Sequence, residues 1–87
     1  MGICKVSKKI EDVIIALDEK PMRRMDIAYR LGIGGGTVKK IVDWMLENNL
    51  AEEVPVSRFN VEVRLTEKGK KLAKLVKEIQ KLLEEEN

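Results

Sequence analysis

The sequence predicts a mainly α domain that carries one small β-hairpin. Three observations point there. Apolar residues recur with a helical period in four separate stretches. The period changes to two between residues 54 and 65, and a glycine-rich segment, "LGIGGGT", separates the second helical stretch from the third. At 87 residues the chain is one domain, with 1–66 as its core and 67–87 as an appended helix of that same domain. A chain this short buries only about 60–65% of the surface its unfolded form exposes, so self-association is a natural source of further core.

Ser7 is placed to cap a first helix over residues 8–18, where Ile10, Val13, Ile14 and Leu17 form one apolar stripe. Ile15 lies off that stripe and is a candidate for a partner's surface. Lys20-Pro21 ends the helix and sets an extended connector. A second helix over 22–31 groups Met25, Ala28 and Leu31, with Ile27 adjoining, and Gly32 ends it in the left-handed conformation that glycine tolerates best. Ile33 then returns to the core. The third helix, 36–48, buries Val38, Ile41, Val42 and Met45, and Asn48-Asn49 stops it.

Val54 and Val56 point one way with Pro55 between them, Val61, Val63 and Leu65 alternate with Glu62 and Arg64, and "SRFN" at 57–60 joins the two strands. Pro55 lacks an N–H for the ladder and belongs on an edge. Thr66 caps a last helix, 67–86, about 30 Å long. The stripe Leu72, Val76, Ile79, Leu83 on it steps by 4, 3 and 4, widened by Leu75 and Leu82. That spacing is a heptad seam and predicts a symmetric dimer. Trp44 lies about 110° from the centre of its helix's buried stripe. It is covered either by the last helix or, together with Ile15, by a second subunit; packing in the chain's own core is the alternative.

Net charge is only +2 but unevenly spread. Residues 20–42 hold Lys20, Arg23, Arg24, Arg30, Lys39 and Lys40 against the single acid Asp26, while 43–53 carry Asp43, Glu47, Glu52 and Glu53 with no base. A local basic patch of this kind is the footprint of a nucleic-acid binder. Catalysis has little to work with. The sequence has no His, one Cys (Cys4) and no carboxylates at metal-ligand spacing, which predicts a non-enzyme without metal or cofactor. "GIGGGT" lacks the Gly-Lys-Ser/Thr of a nucleotide-binding loop. The lone Cys suits a reducing, cytoplasmic setting, the absence of an apolar run near 18 residues argues against a membrane span, and Lys/Glu abundance with one Gln and four Asn suits a thermophile.

Helix, helix, helix, hairpin, helix, with "DIAYRLGIGGGTVKKIVDWMLENNLAEE" at the centre and "VRLTEKGKKL" leading into the last helix, resembles the winged helix-turn-helix family of DNA-binding regulators. The long amphipathic closing helix is similar to that of small archaeal members that pair through it as a coiled coil. The resemblance implies that 36–48 is a recognition helix and 57–60 the tip of a wing. It also implies that the chain is a transcriptional regulator or chromatin-associated factor that binds duplex DNA as a homodimer. Arg23 and Arg24 match the family's backbone-contacting positions, as does Arg30.

Gly34, Gly35 and Gly36 stand where many members carry side chains. Bare glycines let the N–H groups of the helix start approach a phosphate, with Thr37, Lys39 and Lys40 beside them; the alternative is that they only relax a tight turn. Arg58 at the wing tip is placed for a minor groove or a phosphate, or is a solvated turn charge. The outward line Gly36, Lys40, Asp43, Glu47 has no Arg, Asn or Gln for bidentate base contacts, so sequence specificity is expected to be modest. Asp43 either accepts from a cytosine amino group or is an exposed structural residue. Arg64 alternates outward from the sheet, where Glu62 or Glu52 could equally pair with it. The competing reading is a winged-helix protein-interaction module that docks through Trp44, Ile15 and the last helix. No residue set advertises a small-molecule effector.

Overall fold

The computed structural model describes residues 7–85 and runs α1 (Lys8–Glu19), α2 (Arg24–Leu31), α3 (Gly35–Glu47), β1 (Ala51–Pro55), β2 (Val61–Leu65) and α4 (Glu67–Glu85). Cys4 lies outside the described residues. Each boundary has a local cause. The Ser7 hydroxyl accepts the Ile10 N–H at 3.4 Å, capping α1. Gly32 sits at φ +65°, so α2 closes with its N–H on the Ala28 carbonyl. Asn49, at φ +60°, makes the corresponding turn after α3 and lets the Leu50 N–H reach the Met45 carbonyl at 2.8 Å.

β1 and β2 pair antiparallel with Ala51 opposite Leu65 and Pro55 opposite Val61. Met22 bridges the other side of Val63 through two backbone hydrogen bonds of 2.7 and 3.1 Å, which makes β2 the inner strand and leaves Pro55 on an edge. That bridge corrects the expected start of α2. Residues 21–23 continue as extended backbone, and the helix begins at Arg24. Met25, expected in the core, is exposed, while Ile27 and Met22 are buried in its stead.

The core gathers Val13, Ile14 and Leu17 of α1, Ile27 of α2, Val38, Val42 and Met45 of α3, and Val63 and Leu65 of β2. Ala73 and Val76 extend it along α4. The start of α4 docks on the α3–β1 turn. Thr66 donates its hydroxyl to the Asn49 carbonyl at 2.6 Å and accepts the Gly69 N–H at 3.1 Å, and the Lys68 ammonium reaches the Asn48 carbonyl at 3.0 Å. Gly69 is buried there with no room for a side chain: a Cβ would overlap the Leu50 carbonyl oxygen and lie 3.2 Å from the Leu65 Cβ. Further along, Lys77 pairs with Asp18 at 2.5 Å and the Gln80 amide donates to Glu11 at 3.0 Å, fastening α4 to α1.

Candidate nucleic-acid interface

The turn between α2 and α3 exposes the start of α3 on a backbone free of side chains. Gly34 is the N-cap residue and supplies no side-chain acceptor, and the first turn contains no acid. Its carbonyl takes the Val38 N–H at 3.1 Å. The N–H groups of Gly35, Gly36 and Thr37 come before the first position that can bond within the helix, and they point out of its end. Gly34, Gly35 and Gly36 are all exposed, and the space a Cβ would fill at each is open to at least 4 Å. Nothing within the described chain covers this edge. Among the described residues, then, no group takes up the donors at the positive end of α3.

The cations around it divide into two groups. Lys40 is exposed and, among the described residues, makes no ion pair. The Arg58 guanidinium, on the hairpin tip, lies 5.9 Å from the centre of the Phe59 ring. By contrast, Arg24, Lys39, Asp43 and Glu53 form one network. Arg24 donates to Asp43 at 3.2 Å and to Glu53 at 3.1 and 3.2 Å, and Lys39 donates to the second oxygen of Asp43 at 2.8 Å. Both Asp43 oxygens are thus occupied. The hydrogen bond from Lys39, with Arg24 second, holds the Asp43 carboxyl below the ordinary carboxylate range.

Arg23 does something else. It grips Asp26 through two hydrogen bonds of 2.9 and 3.2 Å and donates to the Asn60 side chain at 3.1 Å, tying the start of α2 to the base of the hairpin tip. Asn60 in turn donates to Ser57 at 2.8 Å, closing the tip on itself. The Arg23 bond likewise keeps the Asp26 carboxyl below its ordinary range. Arg30 pairs with Glu19, and Arg64 with Glu52 at 2.7 Å. Glu53, Asn60 and Gly69 carry roles that sequence reading did not assign. The last had a usable signal, since a glycine inside a helical run calls for a packing reason.

The expected dimer seam divides. Val76 is buried and Leu72 packs against the chain's own core, because the inward face of α4 is centred on Gly69, Ala73 and Val76. Trp44 also packs against that core. Val76 therefore leaves the expected seam, while Leu72 and Trp44 are half-buried against the chain's own core. Ile15 is half-buried, and Leu75, Ile79, Leu82 and Leu83 are all exposed by 56–57%. Among the described residues there is no group of three or more candidate metal ligands, and no helix is long and apolar enough to cross a membrane.

Three helices with a glycine turn between the last two, an antiparallel hairpin and a closing helix define the winged helix-turn-helix fold, and this chain has it. Solved structures similar to it include the transcriptional regulator BldR from Sulfolobus solfataricus (TM-score 0.84, 23% identity, 92% of this chain and 59% of that one). A mutant form of Lactococcus lactis ZitR matches with a TM-score of 0.80 and 23% identity over 90% of this chain and 56% of its own. MepR, a transcription regulator of the Staphylococcus aureus multidrug efflux pump MepA, matches with a TM-score of 0.80 and 20% identity over 91% and 61%. The chain thus spans somewhat more than half the length of these structures. An uncharacterized Archaeoglobus fulgidus protein is 25% identical over 75 residues, which cover 86% of this chain and 79% of that one. No protein-family model matches the sequence.

Proposed function

We propose that this chain binds duplex DNA as a homodimer and acts as a transcriptional regulator or chromatin-associated factor with modest sequence specificity. The observation that carries the reading is the uncovered, side-chain-free start of α3. Three donors at a positive helix end suit a phosphate, and Lys40 and Arg58, without an acidic partner among the described residues, are the cations to support it. The neighbours named as transcription regulators share the scaffold that presents it. Leu75, Ile79 and Leu82 supply the dimer surface on α4. Two such folds about a two-fold axis would bring their recognition helices to half-sites about 34 Å apart.

Fluorescence anisotropy with a random-sequence duplex at 50 and 200 mM salt tests this. Two cations per protomer make four phosphate contacts in a dimer, for a slope near −3.6 in log K against log salt and about a 150-fold loss of affinity over that range. Lys40→Ala removes two of the four and should flatten the slope by about 1.8, equally for every sequence. Absence of binding even at low salt overturns the proposal and favours protein docking, for which α2 already offers exposed Met25 and Tyr29.

A further inference from the structure

Asp43 stands on the outward line of α3, two turns from the glycine start, and it is the hub of a closed charge network. Its partners come from two elements. Lys39 is one turn back on the same helix, and Arg24 opens α2; Glu53, from β1, shares Arg24 with it. Two bases and two acids sum to no net charge on the stretch of surface flanking Lys40. The two bases are not equally held. Arg24 is gripped from two sides and its side chain is 32% exposed, whereas Lys39 pairs, among the described residues, with Asp43 alone and its side chain is 70% exposed.

We propose that Asp43 is an internal phosphate surrogate that limits the affinity of the α3 face for a nucleic-acid backbone by occupying Lys39. The inference rests on the DNA-binding reading above and adds its tuning. In the free protein the Asp43 carboxylate takes the Lys39 ammonium at 2.8 Å, the distance a DNA phosphate oxygen would offer. An incoming phosphate must displace that carboxylate, which stays behind as a negative charge beside it. The exchange swaps one ion pair for another, so Lys39 adds little net affinity and no clear increment to the salt slope. Arg24 remains anchored whether or not Asp43 is charged, because Glu53 binds it through both Nε and an Nη. It acts as a fixed post between α2 and β1.

The test is Asp43→Asn, which keeps the shape, keeps an oxygen for Arg24 and removes the charge. One freed Lys39 per protomer adds two phosphate contacts to a dimer. Random-duplex binding should tighten at least about fiftyfold at 50 mM salt, so that about a fourfold gain is left at 200 mM. The slope should steepen by about 1.8, so that the advantage shrinks about twelvefold between 50 and 200 mM. Adding Lys39→Ala to Asp43→Asn should abolish the gain, and Glu53→Gln alone, which leaves Lys39 held, should not produce it. Circular dichroism melts confirm that each variant is folded. If wild type binds but Asp43→Asn binds equally or more weakly, Asp43 is not a surrogate and this inference fails alone. If wild type and Asp43→Asn both fail to bind at low salt, the DNA-binding reading fails and takes the inference with it.

Discussion

Replacing Gly35 and Gly36 together by alanine separates the two roles that the glycines can have. Both lie in helical backbone at the first positions of α3, and a Cβ at either meets nothing within 4 Å. Alanine removes freedom from the unfolded chain, an effect of about 0.5–1 kcal/mol per position in a helix interior. First-turn positions feel less of it, so about 1 kcal/mol for the pair is the reasonable sum. In a domain of this size that raises the melting temperature by about 4–8 °C. Binding should move the other way. Two methyl groups on each protomer stand beside donors that need a phosphate oxygen at about 2.9 Å, and losing one charge-assisted hydrogen bond is worth about 1.5–3 kcal/mol. Affinity for random duplex should therefore fall at least tenfold. The salt slope should stay unchanged, since no cation is removed. Thermal melts followed by Trp44 fluorescence, and anisotropy titrations at two salt concentrations, read both effects. A double variant that is more stable and binds as well as wild type would refute the backbone-approach reasoning, leaving the glycines as turn formers only.

Three further outcomes follow from the fold. Gly69→Ala should destabilise the protein by about 1–3 kcal/mol despite alanine's helix preference, because its Cβ collides with the Leu50 carbonyl that accepts the Thr66 N–H; an unchanged melting temperature would contradict this packing. Sedimentation velocity should show the wild type at twice 9.9 kDa and Ile79→Glu/Leu82→Glu at 9.9 kDa, and a wild type already monomeric at micromolar concentration removes the dimer. Stability should hold from about pH 5 to 9 and weaken below about pH 4. Asp26 and Asp43 have folded-state pKa values lowered by Arg23 and Lys39, so their contribution is present above the ordinary carboxylate range and lost as pH falls through the lowered values. Lys8, raised by Asp12, contributes below the ordinary lysine range and is lost only as pH rises through its raised value, above 10.5. Asp26→Asn should shrink the acid-side loss, as melts across pH would show.

What could be read from the sequence follows the range of each interaction. Local signals carried α1, the Gly32 turn, the Asn49 stop and the hairpin, because caps, left-handed residues and apolar spacing act within a few positions. α2 was harder. Its eight residues include Met25, Ile27, Ala28 and Leu31, too few turns for periodicity to choose a face, and the choice was made by Met22 bridging the distant Val63. The site shows the same divide. The glycine start and Lys40 were legible because they are contiguous. That Arg24 would be taken by Asp43 and Glu53, or Arg23 by Asn60, depends on pairings 19, 29 and 37 residues apart. Likewise the periodicity of α4 alone predicts a seam through Leu72, Val76, Ile79 and Leu83. The inward face is the one on which Gly69 meets Leu50; it buries Ala73 and Val76, leaves Leu72 half-buried at its edge, and puts Leu75, Ile79 and Leu82 outside.

Amide chemical-shift mapping with a short random duplex, in low salt, addresses the seat of binding itself. The largest changes should fall on the N–H signals of Gly35, Gly36 and Thr37, with smaller ones at Lys40 and Arg58, and α4 beyond Ala73 should stay still. Shifts gathered on α4 or on the outer side of α2, with the glycine amides unmoved, would mean that this protein meets its partner elsewhere.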